Sequence, residues 1–293
     1  MERKSIQLLK KLYVQACFDE INAFKPGNVS NFSPIMGMQK EKFFRAAYLT
    51  SEILTQKKTS LGKVIFESCK LCVKEFNQNY NLGIILLSAP IIKAATESFE
   101  STKHLKKNIF KVIQGINKED DKLIIEAIKI CKPGGLQNFD QKFNILNANT
   151  KNIKFLDLVK FSHKYDRISS CYFNNYKEIF TNALPYFKKE RKINGIKVAT
   201  EKIYMKFLCE NFDSHILRKH GKLEANIILN KSKNIFKKIN NVSRKNNYKL
   251  LKDFDNYLKR KRMNPGTCAD LTVTTLLIDK ITDIVKFSNF NIY

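Results

Sequence analysis

Apolar residues recur at helical spacing through nearly the whole chain, beginning with Ile6, Leu9, Leu12, Tyr13, Ala16 and Cys17. No stretch shows the sustained alternation and β-branched enrichment of a strand. Ten glycines and six prolines in 293 residues leave few points where helices can break. The expected fold class is therefore all-α, a single-domain multi-helix bundle over residues 1–293. The first helix should end near Phe24. Others are expected at about 39–57, 61–77, 82–98 (kinked or interrupted at Pro90), 103–115, 119–131, 153–163, 166–189, 198–211, 221–240, 244–262 and 267–288. Gln137 to Asn152 reads as polar and irregular.

The scarcity of glycine makes its placement informative. Five punctuated segments couple glycine or asparagine to charge. They are Glu20 with Lys25-Pro26-Gly27-Asn28, then Asn79-Tyr80-Asn81-Leu82-Gly83, Pro133-Gly134-Gly135, Asp213 to Gly221, and Asn264 to Asp270. Glycine allows close backbone approach to a ligand, and asparagine offers both donors and acceptors. If the loops converge on one end of the bundle, they make a nucleotide pocket suited to phosphates and a ribose. Each segment also has a plainer reading. Lys25 precedes a turn, Asn81 caps a helix, and Pro133-Gly134-Gly135 stops one. Asn264-Pro265-Gly266-Thr267 makes a turn onto a new helix, with Asp270 in its first turn. A cap and an anion site use the same backbone N–H groups, so the geometry of the motif leaves both open. Asp213-Ser214-His215-Ile216-Leu217-Arg218-Lys219-His220-Gly221 is the least ordinary, with an acid, two histidines and two cations together.

A net charge of +26 invites a nucleic-acid partner. The excess is nearly all lysine, spread along the chain rather than gathered in an arginine-bearing stripe with interleaved aromatics, so no specific nucleic acid is expected. Seven cysteines, an odd number, read as reduced thiols in a cytoplasmic protein. Cys69-x-x-Cys72 lies within a helical pattern and has no second ligand pair for zinc. No apolar run is long enough to span a bilayer, and Leu82 to Ala95 is short and interrupted by Lys93.

In this order and spacing, the five segments resemble the triphosphoribosyl-dephospho-CoA synthase family. The similarity rests on Glu20 with Lys25-Pro26-Gly27-Asn28-Val29, on Asn79-Tyr80-Asn81-Leu82-Gly83 leading into an apolar run, and on Pro133-Gly134-Gly135-Leu136. It rests further on Asp213, Arg218 and Gly221, and most specifically on Asn264-Pro265-Gly266-Thr267-Cys268-Ala269-Asp270-Leu271. Tyr80 stands where threonine is usual in the family, Phe24 where proline often precedes the lysine, and after Gly135 only Asp140 remains of the acids some members carry.

The resemblance implies ATP and dephospho-CoA as substrates and transfer of the triphosphoribosyl group with release of adenine. It implies Mg²⁺ with the ATP, no organic cofactor, and no membrane partner; a homo-oligomer stays open. It places Lys25, Arg218 and Lys219 on phosphates, assisted by backbone N–H groups at Gly83, Gly135, Gly266 and Thr267. Gly27, Asn28, Asn81, Gly134, His220, Gly221 and Asn264 complete the expected substrate contacts. Asp213 and Asp270 are the candidates for Mg²⁺ or for the acid/base step, with Glu20 as a third carboxylate. The rival expectations are a same-fold ribosyl transferase with a different acceptor and a basic helical nucleic-acid-binding protein.

Overall fold

The computed structural model describes residues 2–33, 38–136, 153–239 and 244–290. Among them the elements are helical: α1 (Glu2–Ile21), α2 (Lys40–Leu54), α3 (Leu61–Phe76), α4 (Leu82–Ala95), α5 (Thr102–Gln114), α6 (Lys118–Cys131), α7 (Phe155–Ser162), α8 (Arg167–Phe173), α9 (Leu184–Glu210), α10 (Ser214–Ile239), α11 (Arg244–Arg260) and α12 (Gly266–Phe290). The irregular segment expected at Gln137 to Asn152 lies outside the described residues, as does Asp140. No described helix is long and apolar enough to cross a membrane.

Two helices form the centre. Every residue of α12 from Leu271 to Asp279 is buried, which matches a helix surrounded on all sides. It packs against α1, α4, α8, α9 and α10. Its threonines are tolerated there because their hydroxyls donate back into the helix: Thr272 to the Cys268 carbonyl (2.7 Å), Thr274 to Asp270 (2.7 Å) and Thr275 to Leu271 (2.9 Å).

The second central helix, α4, is buried along almost its whole length and runs through Pro90. Proline has no N–H, so the carbonyl four residues earlier, Leu86, loses its helical donor. The buried Tyr172 hydroxyl replaces it, donating to that carbonyl at 2.6 Å. Tyr176 does the same to the Leu87 carbonyl at 2.8 Å. A core helix can therefore contain a proline without an orphaned backbone acceptor.

The expected boundaries need correction in two places. The helix expected at 166–189 breaks after Phe173, where Asn175 and Tyr176 take positive φ, and resumes through a wide turn at Ile179–Ala183 into α9. Gly195 (φ 76°) is a non-helical break inside α9, between the helices expected to end near 189 and to begin near 198. Asp213 to Gly221, read as a loop, is mostly helix. The Asp213 carboxylate accepts the N–H groups of His215 (2.9 Å) and Ile216 (3.0 Å), so α10 starts at Ser214 with a short helix ahead of the one expected from 221. Gly221 (φ 82°) is a kink within α10.

Candidate active site

One cleft of about 830 Å³ opens where the punctuated segments meet. Its walls include Glu20, Asn28, Gly83, Gly134, Arg218, Asn264, Gly266, Thr267 and Asp270. All five segments contribute. Three helices, α4, α10 and α12, present residues of their first turns to it, so three positive dipole ends share one space.

The first segment is built from the inside. Lys25 is fully buried; its ammonium is ion-paired with Glu20 and donates to the Asn28 side-chain oxygen at 3.0 Å. Burial pushes Glu20 up and Lys25 down, each toward its neutral form, and the contact between them opposes both shifts. Lys25 therefore stands behind the wall, whereas Glu20 and Asn28 are in it. Asn28 donates to the Asn264 side-chain oxygen at 2.7 Å, which ties the first segment to the last. Gly27 (φ 77°) is held by Asp255, which accepts its N–H at 2.9 Å, and packs against Leu258 and Pro265.

Asp213 occupies a different position from Asp270. Its second carboxylate oxygen accepts the Cys268 N–H at 2.8 Å, so one buried side chain caps α10 and also binds the first turn of α12. It does not line the cleft. Asp270 does, with Gly83 pressed against its carboxyl group. Burial holds Asp270 well above the usual carboxylate range; the charges of Asp213 and Glu20 add to this, and Arg218 and Lys25 oppose it.

Arg218 reaches the cleft from α10 and is held by Asp166 at 2.7 Å. Gly135 (φ 85°) lies so close to the Arg218 backbone that a Cβ there would be 2.8 Å away. Lys219 crosses Gly134 on the exposed side, and neither it nor His220 nor Gly221 is in the cleft wall. Asn81 is buried just before α4, and both polar atoms of its side chain are without a hydrogen-bond partner.

The residue that sequence reasoning passed over is His215, which lines the cleft while His220 does not. The signal was present: it is the second residue after the capping Asp213, in the first turn of a helix. Its ring lies against Gly266, where a Cβ would be 3.0 Å from Nδ1. Burial pushes His215 down to about 4; Lys219 and Arg218 add to this, and Asp213 and the nearby Asn264 backbone oppose it. Phe43 and Met38 from the other side also line the space, next to Tyr80.

Among the described residues, no three His, Cys, Asp or Glu side chains group so as to hold a metal ion. All seven cysteines are buried and free of disulfides.

The chain is similar over 80% of its length, and 96% of the other chain, to a crystal structure provisionally named as a triphosphoribosyl-dephospho-CoA synthase from Archaeoglobus fulgidus. The TM-score is 0.63 at 16% identity, a likeness of fold. No curated protein matches. The family model for ATP:dephospho-CoA triphosphoribosyl transferase matches residues 6–288. With nearly the whole chain matched, and the family's motif residues gathered around one cleft, the chain belongs to the ATP:dephospho-CoA triphosphoribosyl transferase family and is an enzyme of the triphosphoribosyl-dephospho-CoA synthase class.

Proposed function

We propose that the cleft binds Mg-ATP with its triphosphate against the first turns of α4, α10 and α12, and transfers its triphosphoribosyl group to dephospho-CoA. The observation that carries this reading is the convergence of three helix N-termini and Arg218 on one space. Backbone N–H groups at Gly83 and Thr267 and the Arg218 guanidinium neutralise phosphate charge, while the Gly266 N–H closes its own turn onto the Asn264 carbonyl at 2.8 Å. Lys25 acts from behind, fixing Glu20 and Asn28. The linked pair Asn28–Asn264 in the cleft wall offers donors and acceptors to sugar hydroxyls.

The reaction breaks the bond between the ribose anomeric carbon and adenine and forms one to an acceptor hydroxyl, through an oxocarbenium-like transition state. Adenine needs a proton as it leaves. Asp270 supplies it, because burial raises its affinity for a proton well above that of an ordinary carboxyl group. Asp213, with both oxygens committed to backbone N–H groups, positions α10 and α12 instead. Mg²⁺ belongs to this reading as part of the substrate. Its hard charge suits phosphate oxygens and water, and among the described residues no group of three side-chain ligands makes a protein cage for it. The buried thiols suit a reducing cytoplasm.

The test is adenine release from Mg-ATP by the purified protein, with a matching mass increase on dephospho-CoA. Release that requires dephospho-CoA supports the reading. No release with both substrates present overturns it.

A further inference from the structure

We propose that His215 is the group that takes the proton from the acceptor hydroxyl during transfer. This deepens the function proposed above and rests on it. The imidazole lines the same cleft as Asp270, Arg218, Gly266 and Thr267. Its place is fixed from two sides. Its own backbone N–H is bound by Asp213, whose other oxygen holds Cys268 in the first turn of α12. Its ring lies on Gly266, where absence of a side chain lets the imidazole approach the turn that faces the triphosphate. A neutral imidazole has one donor nitrogen and one acceptor nitrogen, and the acceptor is the one that takes a proton.

The charged groups around it are Asp213, Arg218 and Lys219 on α10, with Asp270 from α12 and Glu20 from α1 in the same cleft. The cations and burial keep the ring neutral at physiological pH, as an acceptor must be. A weak base suffices for this chemistry. The acceptor oxygen becomes strongly acidic only as its bond to the anomeric carbon forms, so the proton moves late. In the complete step, the bond from the anomeric carbon to adenine breaks with its electron pair going to the base. The acceptor oxygen bonds to that carbon, its proton passes to His215, and Asp270 gives a proton to adenine. A triphosphate bound beside the ring raises its affinity for the proton it is to receive.

The experiment compares wild type with His215→Gln and His215→Asn, each first checked for cooperative melting and Mg-ATP binding. The expected result is a loss of about 10²-fold or more in kcat for transfer to dephospho-CoA. The KM for ATP should stay within about threefold, and the acid limb of the wild-type pH profile should vanish. Proton uptake on Mg-ATP binding, measured calorimetrically in buffers of different ionisation enthalpy, should fall in both variants. Transfer within about threefold of wild type, with an unchanged pH profile, in either folded variant overturns the proposal. Absence of adenine release by the wild type would instead defeat the function it rests on.

Discussion

A methyl group on Gly83 would sit 2.0 Å from Oδ2 of Asp270 and 2.5 Å from its Cγ. The first turn of α4 and the acid of α12 are therefore in contact only because residue 83 has no side chain. Gly83→Ala must displace the carboxyl group or the turn. Displacement of about 1 Å at a reacting centre costs on the order of 10²-fold in rate. Steady-state adenine release should fall by about that much, with a lowered melting temperature. Turnover within about twofold of wild type would mean that Asp270 is not at the reacting atoms.

Asp270→Asn should separate activity from stability. The folded protein holds the Asp270 carboxyl well above its ordinary value, mainly by burial. Its contribution to stability is therefore fully present below the unfolded-state value and is lost as pH rises through the folded-state value. Above that value the protein carries an ionised, poorly solvated carboxylate among Asp213 and Glu20. Removing the charge should raise the melting temperature at neutral and alkaline pH, with the gain disappearing toward about pH 4, while transfer is lost. A variant that melts lower than wild type at about pH 8 would contradict this.

Asp213→Ala should do the opposite. Three backbone N–H groups, of His215, Ile216 and Cys268, lose their acceptor. The cost should be at least about 2 kcal/mol, from the lost cap and a buried unsatisfied donor. Chemical denaturation at neutral pH measures it. The two acids, one capping α10 and the other in the first turn of α12, should thus give stability changes of opposite sign.

Tyr172 and Pro90 should be coupled. Tyr172→Phe leaves the Leu86 carbonyl without its donor and should cost roughly 1–3 kcal/mol. In a Pro90→Ala background the backbone N–H restored at that position serves the Leu86 carbonyl, so the same change should cost less by about 1 kcal/mol. A double-mutant cycle from denaturant midpoints tests the difference; equal costs in both backgrounds would show that the proline is not the reason for the tyrosine.

Much of this was already legible in the residues. The helical period of the apolar positions and the few Gly and Pro breaks determined the helical class, because a chain with that pattern buries its apolar faces only as packed helices. Asn264-Pro265-Gly266-Thr267 and Lys25-Pro26-Gly27-Asn28 carry their turns locally, so those segments and their shared chemistry could be read directly. The tertiary structure decided what each charge does. Asp213 and Asp270 look alike in sequence, yet one is consumed by backbone N–H groups from two helices and the other faces the cleft. Lys25 looks like a phosphate contact and is fully buried against Glu20. His215 and His220 share one short segment, and only the first reaches the cleft wall. These outcomes depend on contacts between residues far apart in the chain. Proton affinity, burial and reach are set by those neighbours, and local spacing carries no record of them.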